Sequence, residues 1–553
     1  MAFGDLLDQV GGTGRFQIVH VTLLSIPVLM MASHNLLQNF VAAVPPHYCS
    51  AHSNVSQSQL SPEEILQITV PLDHKGNPHR CQRYTAPQWH LLDKNGSSYF
   101  GQQWDAEDAE LQGCADGWSY NMTEMSSTII SDVRTDYKWD KLSTWEALQT
   151  GNVNLGSFLC PRYGRRILVL ISNLLMAVSG TGVAFSTSFS MYCLFRFGCG
   201  MALSGVGLNT FSLIVEWIPT RVRTLMGTLT GYCYTVGQLI LAVIAYFLRD
   251  WRWLTLAVSL PFYVFFLIAW WFHESARWLA LNNKPDIAVK NLQSVAKFNG
   301  HKEEGEKINI KESMKKELSS AQGSYTVLDL FRTPHMRVMT LSLSAVWLST
   351  SFAYYGLAMD LQKFGVDIYL IQVIFGAVDI PAKIAITICM SFIGRRPSQC
   401  GALIIAGITI LINLLVPLDK QTVRTCLAVV GKGCLAASFN CCYLYSGELY
   451  PTIIRQTGMG WVSMMARVGA MVAPMVLLTG DYIAWLPGLI YGGAPIISGL
   501  AGVFLPETLG VPLPDTVQDV EESKAEKQQK KKKGTQKLLC LGFSSLGLVC
   551  ADQ

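Results

Sequence analysis

Eleven apolar runs in this chain are too long to be the helices of a soluble core. Each holds about 16 to 25 largely apolar residues, enough to cross roughly 30 Å of hydrocarbon. A backbone in lipid must satisfy its own hydrogen bonds, so continuous runs of this length indicate helices. The runs begin near Ile18, Ile167, Met191, Leu225, Trp253, Val338, Tyr369, Gly401, Cys426, Thr457 and Ala484. The sequence therefore predicts an all-α protein that crosses the lipid bilayer many times.

Composition and charge exclude several functional classes. Half of the 553 residues are hydrophobic and 15% are charged, against roughly 25% charged in a soluble domain. With 43 basic and 39 acidic residues, the bulk charge gives no sign of a nucleic-acid partner. Histidines and cysteines show no metal-ligand spacing, and neither a nucleophile–base set nor a Gly-rich phosphate loop is present. We expect neither an enzyme nor a cofactor or metal.

The distribution of basic residues predicts the topology. Residues 277–337 carry eleven Lys and Arg, whereas the longer stretch 37–140 carries six. The positive-inside bias places the first stretch in the cytosol and the second outside. Three N-glycosylation acceptors in the outer stretch agree with this, at Asn54, Asn95 and Asn121. With an uncleaved first helix, both termini are expected in the cytosol.

Three loop motifs recur in the same order at nearly constant spacing. Gly164-Arg165-Arg166 returns 230 residues later as Gly394-Arg395-Arg396, and the Glu216–Arg223 segment returns 232 later as Glu448–Arg455. Glu274-Ser275 returns 233 later as Glu507-Thr508. A parallel repeat with a basic loop between the copies is typical of the major facilitator architecture, with two halves of six helices. The motifs predict a gating set: Arg165, Arg166, Glu216, Arg223, Arg395, Arg396, Glu448 and Arg455.

This pattern predicts six segments. They are an N-terminus with the first helix at 1–36, a glycosylated extracellular loop at 37–141, the rest of the N-terminal bundle at 142–276, a cytosolic loop at 277–337, a C-terminal bundle at 338–506 and a cytosolic tail at 507–553.

Further motifs resemble those of the organic anion transporters of the major facilitator superfamily. The resemblance covers residues 1 to about 519 and includes Ser33–Phe40, Glu274–Leu279, Phe352–Leu357, Phe375–Lys383, Gly447–Thr452 and Pro512–Thr516. It implies a plasma-membrane antiporter that exchanges organic anions for an intracellular dicarboxylate such as 2-oxoglutarate. A urate or monocarboxylate exchanger of the same family stays open as an alternative.

One segment departs from the family pattern. Between Ile130 and Gly164 the family carries a full second helix, but here Lys141, Glu146 and two asparagines interrupt the apolar run. A charged residue at a helix centre costs roughly 2.5 to 3.5 kcal/mol on insertion scales. We therefore expect a short or irregular second helix over 142–160, and a non-transporting isoform stays open as a second alternative.

The outer stretch also departs from the family in its cysteines. It keeps only three of the four that are expected there, Cys49, Cys81 and Cys114. One disulfide can form in an oxidising exterior and one thiol is left over.

Cations within the predicted spans are the candidate substrate contacts, because buried ionisable residues usually face an internal cavity. Asp379 and Lys383 share a helix face and could neutralise each other, or Lys383 could contact an anion. Lys432 shares a face with Phe439 and Tyr443. Arg467 has no acidic neighbour within two turns of its helix and is the preferred anion contact. The resemblance implies an acidic residue at this position in the related organic cation transporters, which disfavours a cation carrier.

Aromatic side chains complete the predicted site, although an aromatic stripe is often only packing. Hydrophobic organic anions need flat apolar walls as well as one or two charge contacts. Asn35 of the first helix could add a polar contact. The full predicted substrate-binding set is Asn35, Tyr232, Tyr234, Trp347, Phe352, Tyr354, Tyr355, Lys383, Lys432, Phe439, Tyr443 and Arg467.

Overall fold

The structure is a computed structural model. It describes residues 7–8, 10–43, 45–51, 60–72, 78–79, 81–89, 110–114, 116–122, 125–132, 164–219, 222–282, 284–306, 326–359, 368–417, 420–451, 454–483, 485–511, 514, 517–518 and 520–521. The predicted second helix, 142–160, lies outside these residues, as do Asn54 and Asn95. The chain divides into two compact units. Unit 1 comprises 1–37, 139–247 and 255–553, and unit 2 comprises 38–138 and 248–254.

The helices that the structure describes in the first half of the chain lie between residues 15 and 306. They are α1 (Arg15–Leu36), α2 (Gln38–Val41), α3 (Pro62–Thr69), α4 (Ile129–Asp132), α5 (Arg165–Ala184), α6 (Phe189–Trp217), α7 (Arg223–Phe247), α8 (Trp251–Ser259), α9 (Pro261–Ala269), α10 (Ala276–Leu281), α11 (Pro285–Asn299) and α12 (Lys302–Glu306).

The helices that the structure describes in the second half of the chain lie between residues 329 and 502. They are α13 (Asp329–Arg332), α14 (Pro334–Met359), α15 (Ile368–Phe392), α16 (Arg395–Leu415), α17 (Gln421–Leu449), α18 (Arg455–Leu478) and α19 (Leu486–Gly502), with a 3₁₀ turn at Thr479–Asp481.

All eleven predicted apolar runs lie on helices. Among the described residues, nine helical spans are long and apolar enough to cross a membrane. The run near Val338 forms α14, a helix of 26 residues with several Ser and Thr. The run near Ala484 forms α19, which has 17 residues. The prediction of a helical membrane protein is confirmed.

Helix packing in unit 1 repeats the sequence repeat. In the N-terminal half, α1 packs on α7, and α5 packs on α6 and α9. In the C-terminal half, α14 packs on α18, and α16 packs on α17 and α19. Each pair of the first half thus has a counterpart in the second. Contacts of α7 with α15 and α17 join the halves.

A repeated glycine permits a close helix crossing in each half. A Cβ at Gly237 would lie 2.0 Å from the carbonyl oxygen of Leu29, and one at Gly469 would lie 2.2 Å from that of Leu348. Only glycine allows helices to approach so closely. The two glycines are 232 residues apart, so they belong to the same repeat.

A helix of the central loop, α11, holds the start of α1. Phe16 N–H donates to Asn299 Oδ1 (2.9 Å), and Asn299 Nδ2 donates to Val10 O (2.9 Å). Leu7 and Val10 are fully buried in a cluster that also contains Leu292 of α11. Asn299 therefore caps the first membrane helix from the central loop.

Unit 2 is built on short antiparallel strand pairs and a disulfide. Cys49 is bonded to Cys114, and Cys81 is exposed and free. The sequence alone left this pairing open. Asn121 is exposed, as a glycosylation acceptor must be. The strands are β1 (His47–Cys49), β2 (Arg83–Tyr84), β3 (Leu111–Gln112) and β4 (Trp118–Tyr120), with β1 paired to β4 and β2 to β3.

The remainder of unit 2 is held by polar contacts. Arg83 pairs with Asp116 at 2.7 Å and donates to Ser50 O at 2.9 Å. Trp251 Nε1 donates to Asp132 Oδ2 at 3.0 Å, and this tryptophan is fully buried. The Trp251–Asp132 bond joins the chain before residue 133 to the segment 248–254 within the same unit.

Candidate functional site

Lys383 of the C-terminal half reaches into the N-terminal half. Its Nζ donates to Gly231 O at 2.7 Å and to Thr235 Oγ1 at 2.6 Å, both on α7. The side chain is 6% exposed. Within the described residues Lys383 makes no ion pair, so its ammonium is satisfied by neutral oxygens.

Asp379 forms its ion pair with a different lysine. Lys432 Nζ lies 3.2 Å from Asp379 Oδ1, and the two side chains are 2% and 1% exposed. Lys432 Nζ also lies 3.9 Å from the centroid of the Tyr354 ring, a cation–π contact. Asp379 thus pairs directly with Lys432 rather than with Lys383, although its carboxylate still acts electrostatically on the Lys383 ammonium. Lys432, which was predicted as an anion contact, is already compensated.

Arg467 is the third cation of the predicted site. It lies near the middle of α18 and is partly exposed. Its guanidinium interacts electrostatically with the hydroxyls of Tyr234 and Tyr443. The described part of the chain supplies no carboxylate partner and no hydrogen-bond acceptor for it. The donor groups of the Arg467 guanidinium are thus without a hydrogen-bond partner among the described residues.

Aromatic rings from both halves surround these charges. Tyr443 is 40% exposed and contacts Trp347 of its own half (4.6 Å between centroids) and Phe211 of α6 (5.8 Å). Phe439 contacts the rings of Trp347 (6.2 Å) and Tyr354 (5.1 Å). The Phe211–Tyr443 contact is tilted and the others are edge to face, and together these rings form apolar walls.

Asn35, Tyr234 and Tyr355 are the other predicted residues that the structure brings together near the cations. Asn35 Nδ2 donates to Tyr234 Oη at 3.2 Å. Tyr355 contacts Tyr354 edge to face at 5.5 Å and interacts electrostatically with Tyr234. Helices α1, α7 and α14 thus bring these side chains to the cations.

Two predicted residues lie elsewhere. Phe352 is 4% exposed and packs on Tyr491 of α19 (4.9 Å) in the core of the C-terminal half. Tyr232 lies two residues before Tyr234, which on a helix is a rotation of about 200°. It therefore faces away from the side of α7 that carries Tyr234.

Gln238 belongs to the site although its sequence context gave no signal. This fully buried side chain of α7 donates from Nε2 to Tyr354 Oη (3.1 Å) and Asp379 Oδ2 (3.5 Å). It is uncharged and precedes an apolar stretch, so only its position on the face of Gly231 and Thr235 reveals it.

The charges of the cluster do not balance. Lys383, Lys432 and Arg467 contribute three positive charges and Asp379 one negative charge, a formal excess of two. A buried charge excess is costly unless a counter-charge occupies the site. Arg binds carboxylate through two parallel hydrogen bonds, so the cluster is suited to an organic anion.

The three recurring motifs meet at one place in the N-terminal half. Glu274 accepts the backbone N–H groups of Arg165 and Arg166, both at 3.1 Å, and so caps α5. Arg165 Nη2 lies 2.9 Å from Glu216 Oε1, and Arg166 Nη2 donates to Trp270 O. A Cβ on Gly164, whose φ is +87°, would lie 2.4 Å from the Glu274 carboxylate.

The C-terminal half repeats the same arrangement. Glu507 accepts from Arg395 N (2.9 Å) and Arg396 N (3.0 Å) and so caps α16. Arg395 contacts both carboxylate oxygens of Glu448 at 3.2 Å, and Thr508 Oγ1 donates to Glu448 at 2.6 Å. The two Arg–Glu clusters thus follow the repeat.

The last residues of the predicted gating set stand at two helix starts. Arg455 Nε donates to Tyr450 O at 3.1 Å, a helix-end contact. Arg223 begins α7, and its side chain lies outside the described part.

The two capping carboxylates differ in their pKa. Burial raises the pKa of Glu274, and the N–H bonds that it accepts oppose this only in part. For Glu507 burial also acts upward, but the backbone N–H donors of Arg395, Leu509, Arg396 and Thr508 together lower its pKa. The ionised form is thus favoured for Glu507 and disfavoured for Glu274.

Glu507→Gln is expected to lower the thermal melting temperature at pH 7 more than Glu274→Gln. A lowered pKa stabilises the fold above the ordinary glutamate value of about 4.3 and is lost as pH falls through the folded pKa. A raised pKa penalises the fold at high pH, and acid removes that penalty. The melting temperatures of both purified variants are measured at pH 7 and near pH 4. The difference between the two variants should become smaller in acid. Equal losses at pH 7 would contradict the asymmetry.

Comparisons with known proteins agree with this architecture. The family described as Sugar (and other) transporter matches residues 153–519. Solute carrier family 22 member 6 of Pseudopleuronectes americanus is 72% identical over 96% of both chains. Organic anion transporter 3 of Homo sapiens is 46% identical over 94% of both. The xylose transporter XylE from E. coli, in a partially occluded inward-open structure, has a TM-score of 0.57 at 14% identity, covering 89% of this chain and 98% of XylE.

Proposed function

Because this chain belongs to the Sugar (and other) transporter family and, within it, to solute carrier family 22, we propose that it carries hydrophobic organic anions across the plasma membrane. The exchanged solute is an intracellular dicarboxylate such as 2-oxoglutarate. No ATP is hydrolysed, and both termini lie in the cytosol.

The placement of Arg467 carries this proposal. Its guanidinium lies among tyrosines of both halves, and the described residues offer it no carboxylate. A dicarboxylate would match the formal excess of two positive charges in the cluster. The rings of Trp347, Phe439 and Tyr443 supply the flat apolar walls that an aromatic anion needs.

Alternating access needs two halves that can tilt about a central site. Lys383, Lys432 and Arg467 lie near the middle of their helices, as a midplane site requires. At the helix ends, the Arg165–Glu216 and Arg395–Glu448 pairs stabilise the cytosolic side. Breaking and remaking contacts at these clusters is the gating step that we assign to them.

Uptake in cells expressing the chain tests the function. We expect entry of a labelled aryl carboxylate that increases several-fold when the cells are preloaded with 2-oxoglutarate, because the counter-anion returns the carrier. A quaternary ammonium compound is expected to stay out. Its entry would overturn the sign of the substrate, and a panel of unlabelled anions, including urate and lactate, would separate the substrate classes.

A parallel version with a continuous apolar second helix over 142–160 controls for the non-transporting alternative. Equal uptake by the two versions would dismiss that alternative. Uptake by the restored version alone would establish it for this chain.

A further inference from the structure

We propose that Thr235 and the carbonyl of Gly231 hold Lys383 in a cross-half latch that an anion must open. The latch joins α7 of the N-terminal half to α15 of the C-terminal half through bonds of 2.6 and 2.7 Å. Thr235 acts as a positioning residue for Lys383. This inference rests on the proposed exchange. It explains why the carrier does not reorient across the membrane when no anion is bound.

The latch is part of a polar face on α7. Gly231, Thr235 and Gln238 are spaced by four and three residues and so share one side of the helix. They oppose Asp379 and Lys383, which are four residues apart on α15. Helices α7 and α15 pack closely, as the position of Gly376 shows: a Cβ there would lie 2.7 Å from the Leu239 side chain. Sliding of these helices must break the latch.

Charge explains why the latch holds when the site is empty. The Lys383 ammonium is nearly buried, and the described residues give it no ion pair. Leaving a buried cation without acceptors is costly, so the hydroxyl of Thr235 and the carbonyl of Gly231 are needed in place of water. The empty protein is therefore kept in its present arrangement of halves.

A bound carboxylate removes that need. Hydrogen bonds between two ionised groups are roughly twice as strong as neutral ones. An anion beside Lys383 would accept from its ammonium and release Thr235. The Asp379–Lys432 pair lacks this property, because each member already has its counter-charge. Reorientation thus becomes coupled to anion occupancy at Lys383.

Thr235→Val tests the latch, because it keeps the branched shape and removes the hydroxyl. Since a hydrogen bond to a charged group contributes about 1.5 kcal/mol or more, efflux into anion-free medium should increase about tenfold. The ratio of uptake into 2-oxoglutarate-loaded cells to uptake into unloaded cells should fall toward one. Thr235→Ser keeps the hydroxyl and should retain the wild-type ratio.

The matched control is Thr230→Val on the same helix, whose hydroxyl bonds within the helix to Met226 O and not to Lys383. All rates are divided by the amount of surface-labelled protein, and Thr235→Ala replaces Thr235→Val if the latter is not delivered. A wild-type ratio in the variant lacking the hydroxyl would overturn the latch. Absence of stimulation in the wild-type protein would instead overturn the proposed exchange.

Discussion

Asp379→Ala is expected to remove most of the folded protein from the cell surface. The Lys432 ammonium is 2% exposed, and Asp379, at 3.2 Å, is its only carboxylate partner among the residues that the structure describes. The variant removes this partner. Breaking a buried pair by deleting one partner costs about 3–5 kcal/mol, a large part of a total stability of roughly 5–15 kcal/mol. Surface biotinylation and the melting temperature of detergent-solubilised protein measure the loss.

The double variant Asp379→Ala with Lys432→Met is the matched control. Removing both charges eliminates the unpaired cation, so surface delivery should recover in large part. Asp379→Asn keeps a polar side chain for Gln238 but no charge, and it should resemble Asp379→Ala. A single variant as stable as the wild-type protein would show that Lys432 does not depend on this carboxylate.

Loop motifs were predictable because their spacing repeats. Gly164-Arg165-Arg166 and Glu274 lie about 110 residues apart in the chain, yet their shared offset to Gly394 and Glu507 marked them as parts of one repeat. The capping of α5 and α16 by these glutamates was not predicted and is seen only in the structure. Duplication provided the information that a single copy lacks.

Partners across helices were not predictable. Asp379 meets Lys432, 53 residues away, rather than Lys383 on its own face. The choice depends on how α15 and α17 rotate about their axes, and a sequence fixes only the relative direction of side chains within one helix. The contact of Lys383 with α7 escaped prediction for the same reason.

Aromatic residues show the same limit from another side. Phe352 and Tyr354 are two residues apart and so cannot face the same direction on α14. The structure places Tyr354 beside Lys432 and Phe352 beside Tyr491. Residue type suggested that both line the site, but only the packing of α14 between α17 and α19 separates them.

Arg467→Asp is expected to abolish uptake of a labelled aryl carboxylate while surface delivery persists. The substitution replaces the preferred anion contact by a group that repels a carboxylate, and it reduces the cluster's formal excess from two positive charges to none. Loss of a charge-assisted contact alone costs about 1.5–3 kcal/mol, or roughly 10- to 150-fold in affinity. Repulsion adds to this loss, so uptake per surface-labelled molecule should fall to background.

Arg467→Lys and Lys420→Asp separate charge from geometry. Lys keeps the positive charge but lacks the planar fork that grips carboxylate, so KM should rise about tenfold with a smaller change in the maximal rate. Lys420 is exposed, and Lys420→Asp makes the same two-unit charge change far from the middle of a helix, so uptake should stay near wild type. Because Arg467 is partly exposed and has no described carboxylate partner, its replacement leaves no orphaned buried acid, unlike the loss of Lys432. A loss of uptake in Arg467→Asp therefore cannot be attributed to an orphaned buried acid, and undiminished uptake would show that the anion binds elsewhere.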